Sequence, residues 1–127
     1  MPMVVKLSHN GLKGYLGKGS GEWACLVEKE RAVRLITKVY SGQVFYGTED
    51  DWWMTVGTEG ANKGYVGFYA WRNAGWPNFR YDAGSKRFNA DYGNGPMALT
   101  VKYDGYVYCW AGDGYAAADV EFETVTS

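Results

Sequence analysis

Apolar and polar positions alternate with period two along most of the chain, and turn residues interrupt the alternation roughly every 8–12 residues, the pattern of short antiparallel strands. The turns fall where glycine and asparagine accept positive φ: Asn10-Gly11, Ser41-Gly42, Ala83-Gly84, Gly93-Asn94-Gly95 and Asp104-Gly105. About twelve strands are predicted, starting near Val4, Tyr15, Ala24, Val33, Val44, Trp53, Tyr65, Phe79, Phe88, Leu99, Tyr106 and Val120. The one helix-favouring stretch, Val27 to Ala32, is too short and too charged to pack as a helix. It is predicted to be a hairpin turn between Trp23–Leu26 and Val33–Ile36.

A phrase repeats within this pattern. Gly14-Tyr15-Leu16, Gly64-Tyr65-Val66 and Gly105-Tyr106-Val107 each follow a β-type run and a turn, their tyrosines 50 and 41 residues apart. Past each phrase comes a glycine-containing loop that ends on an aromatic residue: Gly19 to Trp23, Trp71 to Trp76 and Gly112 to Tyr115. An apolar strand follows each loop. The predicted units span about 3–51, 52–96 and 97–127 of a single domain. Three units about an axis would bury their apolar faces together, with Leu16, Val66 and Val107 in a core layer. The repeated Gly-Tyr phrase is therefore read as scaffold.

A strand, a turn and Gly-Tyr-Leu or Gly-Tyr-Val, three times in 127 residues, resembles the β-trefoil superfamily. The resemblance covers residues 3 to 125 and implies a six-stranded barrel capped by a triplet of hairpins, four strands per unit. The Gln-x-Trp signature of ricin-type members is missing, as are histidine-rich loops. The superfamily includes lectins, protease inhibitors, growth factors and actin-bundling modules, so the loops must choose among functions.

Composition then sharpens the loops. Aromatics make up 17% of the chain, with 6 Trp and 11 Tyr, beside 18 Gly and 3 Pro. Tyr and Trp pair an apolar body with a polar handle, so many belong at the edge of the core or on the surface. Trp23, Trp76 and Tyr115 are read as equivalent loop positions beside Glu22, Asn73 and Asp113. An aromatic plane flanked by a carboxylate or amide matches a sugar ring, which has an apolar CH face and a rim of hydroxyls. The candidate carbohydrate-binding residues are Glu22, Trp23, Trp71, Asn73, Trp76, Asn78, Trp110, Asp113 and Tyr115. Weak sites repeated on one body would gain avidity for a multivalent glycan. The expected function is a lectin, with a role in defence among its uses. The alternative is a protein-binding trefoil, either a protease inhibitor or a cytoskeletal binder.

Charge and special residues mostly exclude. Thirteen basic and 14 acidic residues are intermixed to a net −1, with no footprint for nucleic acid. No apolar run is long enough to insert in a membrane, and Met1 to Leu7 is too short for a signal peptide, so a soluble protein is expected, cytoplasmic or released without a leader. Cys25 and Cys109 fit buried free thiols better than a disulfide, and His9 is a lone loop residue. No nucleophile–base set, phosphate loop or metal-ligand spacing is present, so neither an enzyme nor a cofactor or metal is expected. Glu49-Asp50-Asp51 beside Trp52-Trp53 reads first as a solvated turn, ahead of a sugar or hard-cation site. Oligomeric state stays open, a homodimer among the options.

Overall fold

The computed structural model describes residues 2–9, 11–19, 21–57, 64–70, 76–92, 95–102, 104–109 and 117–125, with backbone alone at 91, 92 and 95–97. It is all-β. Among the described residues the strands are β1 (Met3–His9), β2 (Leu12–Lys18), β3 (Ala24–Val27), β4 (Leu35–Tyr40), β5 (Gln43–Thr48), β6 (Trp53–Val56), β7 (Val66–Tyr69), β8 (Phe79–Asp82), β9 (Arg87–Tyr92), β10 (Gly95–Val101), β11 (Val107–Cys109) and β12 (Asp119–Thr124), twelve in all. Among the described residues the only helical turn is a 3-10 turn, Lys29–Arg31. No helix among them is long and apolar enough to cross a membrane.

One sheet runs β3-β2-β1-β4-β5-β6-β7, with β12 also paired to β1, and a second runs β11-β10-β9-β8. Antiparallel hairpins dominate because the turn residues allow it. Ser41 and Gly42, with φ of 51° and 76°, form a two-residue connection whose twist suits the flanking strands. It sets six consecutive β4–β5 pairs, from Leu35 opposite Thr48 to Tyr40 opposite Gln43.

Two sets of contacts each close after three steps. In the outer strands, Leu35 lies opposite Thr48, Phe79 opposite Ala90 and Val120 opposite Leu7. Two residues along, Thr37 faces Tyr46, Tyr81 faces Phe88 and Phe122 faces Val5. Shorter links join β1 to β4 at Met3–Leu35, β5 to the start of β8 through Asn78 Nδ2 on the Val44 carbonyl (2.6 Å), and β9 to β12 through Val120 N–H on the Lys86 carbonyl (2.9 Å).

The hairpins β2–β3, β6–β7 and β10–β11 make the second set. Trp23 bridges to Gly67, Tyr65 to Tyr108, and Tyr106 to Cys25. The neighbouring hydrogen bonds follow the same cycle: Phe68 N–H to Glu22 O (2.8 Å), Cys109 N–H to Gly64 O (2.6 Å) and Leu26 N–H to Gly105 O (2.8 Å).

Period-two alternation turns every second side chain of a strand inward, and residues opposite each other share a face. Leu35, Phe79 and Val120 are buried in the outer strands, and Leu16, Met54, Leu99, Ala24, Val66 and Val107 in the hairpins. Burying a Leu, Val or Phe completely contributes about 1.5–3 kcal/mol, so these repeats carry much of the fold's stability. An aromatic cluster closes the core between β5, β8, β9 and β12. Phe88 meets Tyr46 at 5.1 Å and Phe122 at 5.2 Å, and Tyr81 stacks on Phe122 at 4.3 Å. The Tyr81 hydroxyl donates to the Val120 carbonyl (2.7 Å), so this ring is packed without leaving its polar atom unsatisfied.

His9 ends β1, opposite Leu12, rather than lying in a loop, and the turn between β8 and β9 takes its positive φ at Lys86 (58°) rather than at Gly84. Two further expectations need correction. Val27 to Ala32 is no hairpin turn: β3 pairs with β2 and β4 with β1 and β5, so the 3-10 turn carries the chain between strands that are not neighbours. The second correction concerns the repeat register. Tyr15 lies inside β2, whereas Tyr65 and Tyr106 stand immediately before β7 and β11. The residue before β3 is Trp23, and the separations then become 42 and 41 residues.

Candidate functional site

Trp23, Tyr65 and Tyr106 each precede a residue that points into the core: Ala24, Val66 and Val107 are all buried. Alternation therefore turns the three rings to the opposite side of their strands. The cyclic bridges bring the three strand starts together, and Trp23, Tyr65 and Tyr106 line one pocket of about 280 Å³ with Asp104. Trp23 meets Tyr65 edge-on, with ring centres 5.9 Å apart.

The polar members are held by local structure. Asp104 Oδ1 accepts the Tyr106 N–H at 3.1 Å, an Asx turn that fixes the carboxylate at the pocket. Gly105, with φ of 89°, completes the turn by donating its N–H to the Lys102 carbonyl (2.8 Å). Lys102 Nζ donates to the Tyr65 hydroxyl at 2.7 Å and lies 4.8 Å from the centres of both the Tyr65 and Tyr108 rings. Tyr65 and Tyr108 cross at 4.8 Å and 73°. Tyr65 is thus held by an amine and two rings, which pre-forms its wall of the pocket. Gly64 lets the rings approach: its φ is 88°, and a Cβ there would come within 2.7 Å of Tyr108.

The residues predicted from sequence divide as follows. Trp23 lines the pocket. Glu22 contributes its carbonyl to Phe68, while its side chain is exposed. Partial burial, with the Glu22 carboxylate nearby, raises the Tyr69 phenol above its ordinary range. Tyr69 in turn meets Trp76 edge-on at 5.5 Å, so Glu22 and Trp76 flank one tyrosine on the β7 side. Asn78 spends its amide on the Val44 carbonyl, where it ties strands together. Trp71, Asn73, Trp110, Asp113 and Tyr115 lie outside the described residues. Trp76 comes shortly before β8, so its position is not the counterpart of Trp23; Tyr65 and Tyr106 are.

Sequence reasoning passed over Tyr65, Tyr106, Asp104 and Lys102 as site residues. A signal existed in an aromatic residue followed by Ala or Val at intervals of 42 and 41, with Trp in one copy and Tyr in two.

The acidic run is engaged by its surroundings. Asp50 accepts the Thr48 hydroxyl, Glu49 pairs with Arg34 at 3.1 Å and Asp51 with Lys38 at 3.8 Å. Lys18 Nζ sits 3.2 Å from the centre of the adjacent Trp52 ring. Among the described residues no three His, Cys, Asp or Glu side chains gather as metal ligands would. Cys25 and Cys109 are not joined in a disulfide; Cys25 is half-buried, and complete burial pushes the Cys109 thiol well up, away from the reactive thiolate.

No family model matches this chain, and neither the curated proteins nor the solved structures contain a match to it.

Proposed function

We propose that this chain is a β-trefoil lectin whose units are β1–β4, β5–β8 and β9–β12, and that it binds a saccharide at the centre of its three hairpins. The cyclic strand pairing supports the fold reading, since first and fourth strands link the units and the second and third form the hairpin triplet. One observation carries the functional reading: an aromatic residue from each unit, with a fixed carboxylate, surrounds a single pocket.

Its volume of about 280 Å³ is at the low end for small-molecule sites, which suits one sugar ring. Trp23 and the two tyrosines supply apolar faces for the CH side of the ring, and Asp104 accepts hydrogen bonds from hydroxyls. The role is binding without catalysis. The test is tryptophan fluorescence titration against a glycan panel. Trp23→Ala should weaken the best ligand about tenfold or more while the circular dichroism spectrum is kept. A blank panel, or binding unchanged by Trp23→Ala, refutes the assignment.

A second reading, a protein-binding trefoil, is favoured by the β4–β5 hairpin. Val39 and Val44 lie opposite each other and are 74% and 56% exposed. Their apolar surface suits a protein partner better than a sugar.

A further inference from the structure

A second concavity, of about 500 Å³, lies on the outer face of β1, β2 and β3, beside the 3-10 turn, and shares no lining residue with the aromatic pocket. Strand register explains what lines it. Lys6 is opposite Tyr15, Ser8 is opposite Lys13, and Tyr15 is opposite Val27. Leu7 and Leu16 are buried, so alternation sends Lys6, Lys13 and Tyr15 outward. The 3-10 turn adds Lys29 and Arg31.

The local charge is opposite to that of the whole chain. Four cations and one carboxylate, Glu28, line the concavity, in a protein of net charge −1. Two more carboxylates approach from β12 and are already engaged. Glu123 takes Lys29 at 3.1 Å and the Tyr15 hydroxyl at 3.0 Å, and Glu121 takes Lys86 at 3.1 Å. Among the described residues Lys6, Lys13 and Arg31 form no ion pair, although all three face the same space. Glu28 lines the same space, Glu121 stands opposite Lys6, and Lys6 helps to lower the Glu123 carboxyl, so the positive excess is partly offset; a bound anion relieves what remains.

We propose that this concavity binds a sulfate ester carried on a saccharide, with Arg31 and Lys13 on the oxyanion and the Tyr15 ring against the sugar. Arg31 offers a planar fork of donors to sulfate oxygens, and Lys13 adds a mobile ammonium. The Glu123 contact holds the Tyr15 hydroxyl, which orients the ring. A saccharide fits better than a long polyanion: the positive surface is one concavity on an otherwise balanced chain, whereas nucleic acid requires a continuous basic track. The site is independent of the aromatic pocket.

The test is a nitrogen-15 amide titration of the whole chain with a sulfated hexose, its unsulfated parent, inorganic sulfate and a short DNA duplex. The sulfated hexose should shift amides at Lys13 to Tyr15 and Lys29 to Arg31, and bind several-fold more tightly than inorganic sulfate. Its unsulfated parent should leave those amides unmoved. Lys13 and Arg31 are exposed, so the pair Lys13→Glu with Arg31→Glu should fold and weaken binding about tenfold. Trp23→Ala should leave this binding unchanged. Shifts centred elsewhere, undiminished binding by the charge-reversed pair, or equal affinity for inorganic sulfate or DNA would each overturn the proposal.

Discussion

The aromatic pocket and the cationic concavity are assembled in opposite ways. Trp23, Tyr65 and Tyr106 come from segments 42 and 41 residues apart, and each segment is hydrogen-bonded to the next around a cycle. The concavity comes from one run, Lys6 to Arg31, with a single distant element, β12, holding two of its side chains. The first needs the whole chain to close before it exists; the second needs three consecutive strands, a short turn and an ion pair. Perturbing the hairpin cycle should therefore separate them.

The largest effect is expected from Phe68→Ala. Phe68 is completely buried in β7, and its N–H bonds to the Glu22 carbonyl beside Trp23. Deleting a buried Phe side chain costs about 3–5 kcal/mol, and the cavity opens where the hairpins meet. Urea denaturation should show a loss of that size, and saccharide binding at the aromatic pocket should disappear with it. A loss below about 1 kcal/mol would mean that the hairpin centre is not packed as described.

Gly64→Ala is the finer cut. A non-glycine residue at φ of 88° is strained, and the new Cβ would press on the Tyr108 ring at 2.7 Å. The expected cost is about 1–2 kcal/mol, because the ring can shift but the backbone conformation stays unfavourable. Its spectroscopic signature matters more than its size. Amides of Trp23, Tyr65 and Tyr106 should move, while those of Lys13 to Tyr15 and Lys29 to Arg31 stay in place. If both groups move together, the two regions are not independent.

The same contrast explains what could be read from the chain. All twelve strands were visible in order, because alternation and positive-φ turns such as Ser41-Gly42 are local properties. The repeat register was not. Leu16, Val66 and Val107 are all buried, so in each Gly-Tyr phrase the residue after the tyrosine faces inward, whichever strand of a hairpin it occupies. The pattern could not tell that Tyr15 lies within β2 whereas Tyr65 and Tyr106 precede β7 and β11. Trp23 was recognisable as a loop aromatic beside a carboxylate, but its partners follow from the cyclic bridges, which are long-range contacts. Lys102 and Asp104 look in sequence like any solvated turn. The cationic concavity was hidden for a different reason: acidic and basic residues balance over the chain, and only the folded state shows that Glu121 and Glu123 are engaged by Lys86 and Lys29.

The smallest effect, and the sharpest test of the concavity, is expected from Glu123→Gln. Hydrogen bonds from Lys29 first and from the Tyr15 hydroxyl second hold the Glu123 carboxyl below its ordinary value of 4.5. The native state therefore binds its proton less readily than the unfolded chain does. This contribution to stability is fully present above the unfolded pKa and is lost as pH falls through the lower, folded pKa. Lys29 is raised above 10.5 chiefly by its hydrogen bond to Glu123, so its share is present below that value and lost as pH rises through its folded pKa. Between those limits the pair is intact. Urea denaturation from neutral pH down to the acid limb should show a slightly shallower fall for Glu123→Gln than for the unmodified chain. Asp119, lowered by its hydrogen bond from Arg87, should contribute to the slope that remains. At neutral pH the same substitution releases Lys29 from its carboxylate and removes a negative charge from the edge of the concavity. Binding of a sulfated hexose should tighten, provided that the Tyr15 ring keeps its place, and saccharide binding at the aromatic pocket should not change. An acid limb identical to that of the unmodified chain, with no gain in sulfated-hexose affinity, would show that Glu123 neither holds Lys29 nor limits the charge of the concavity.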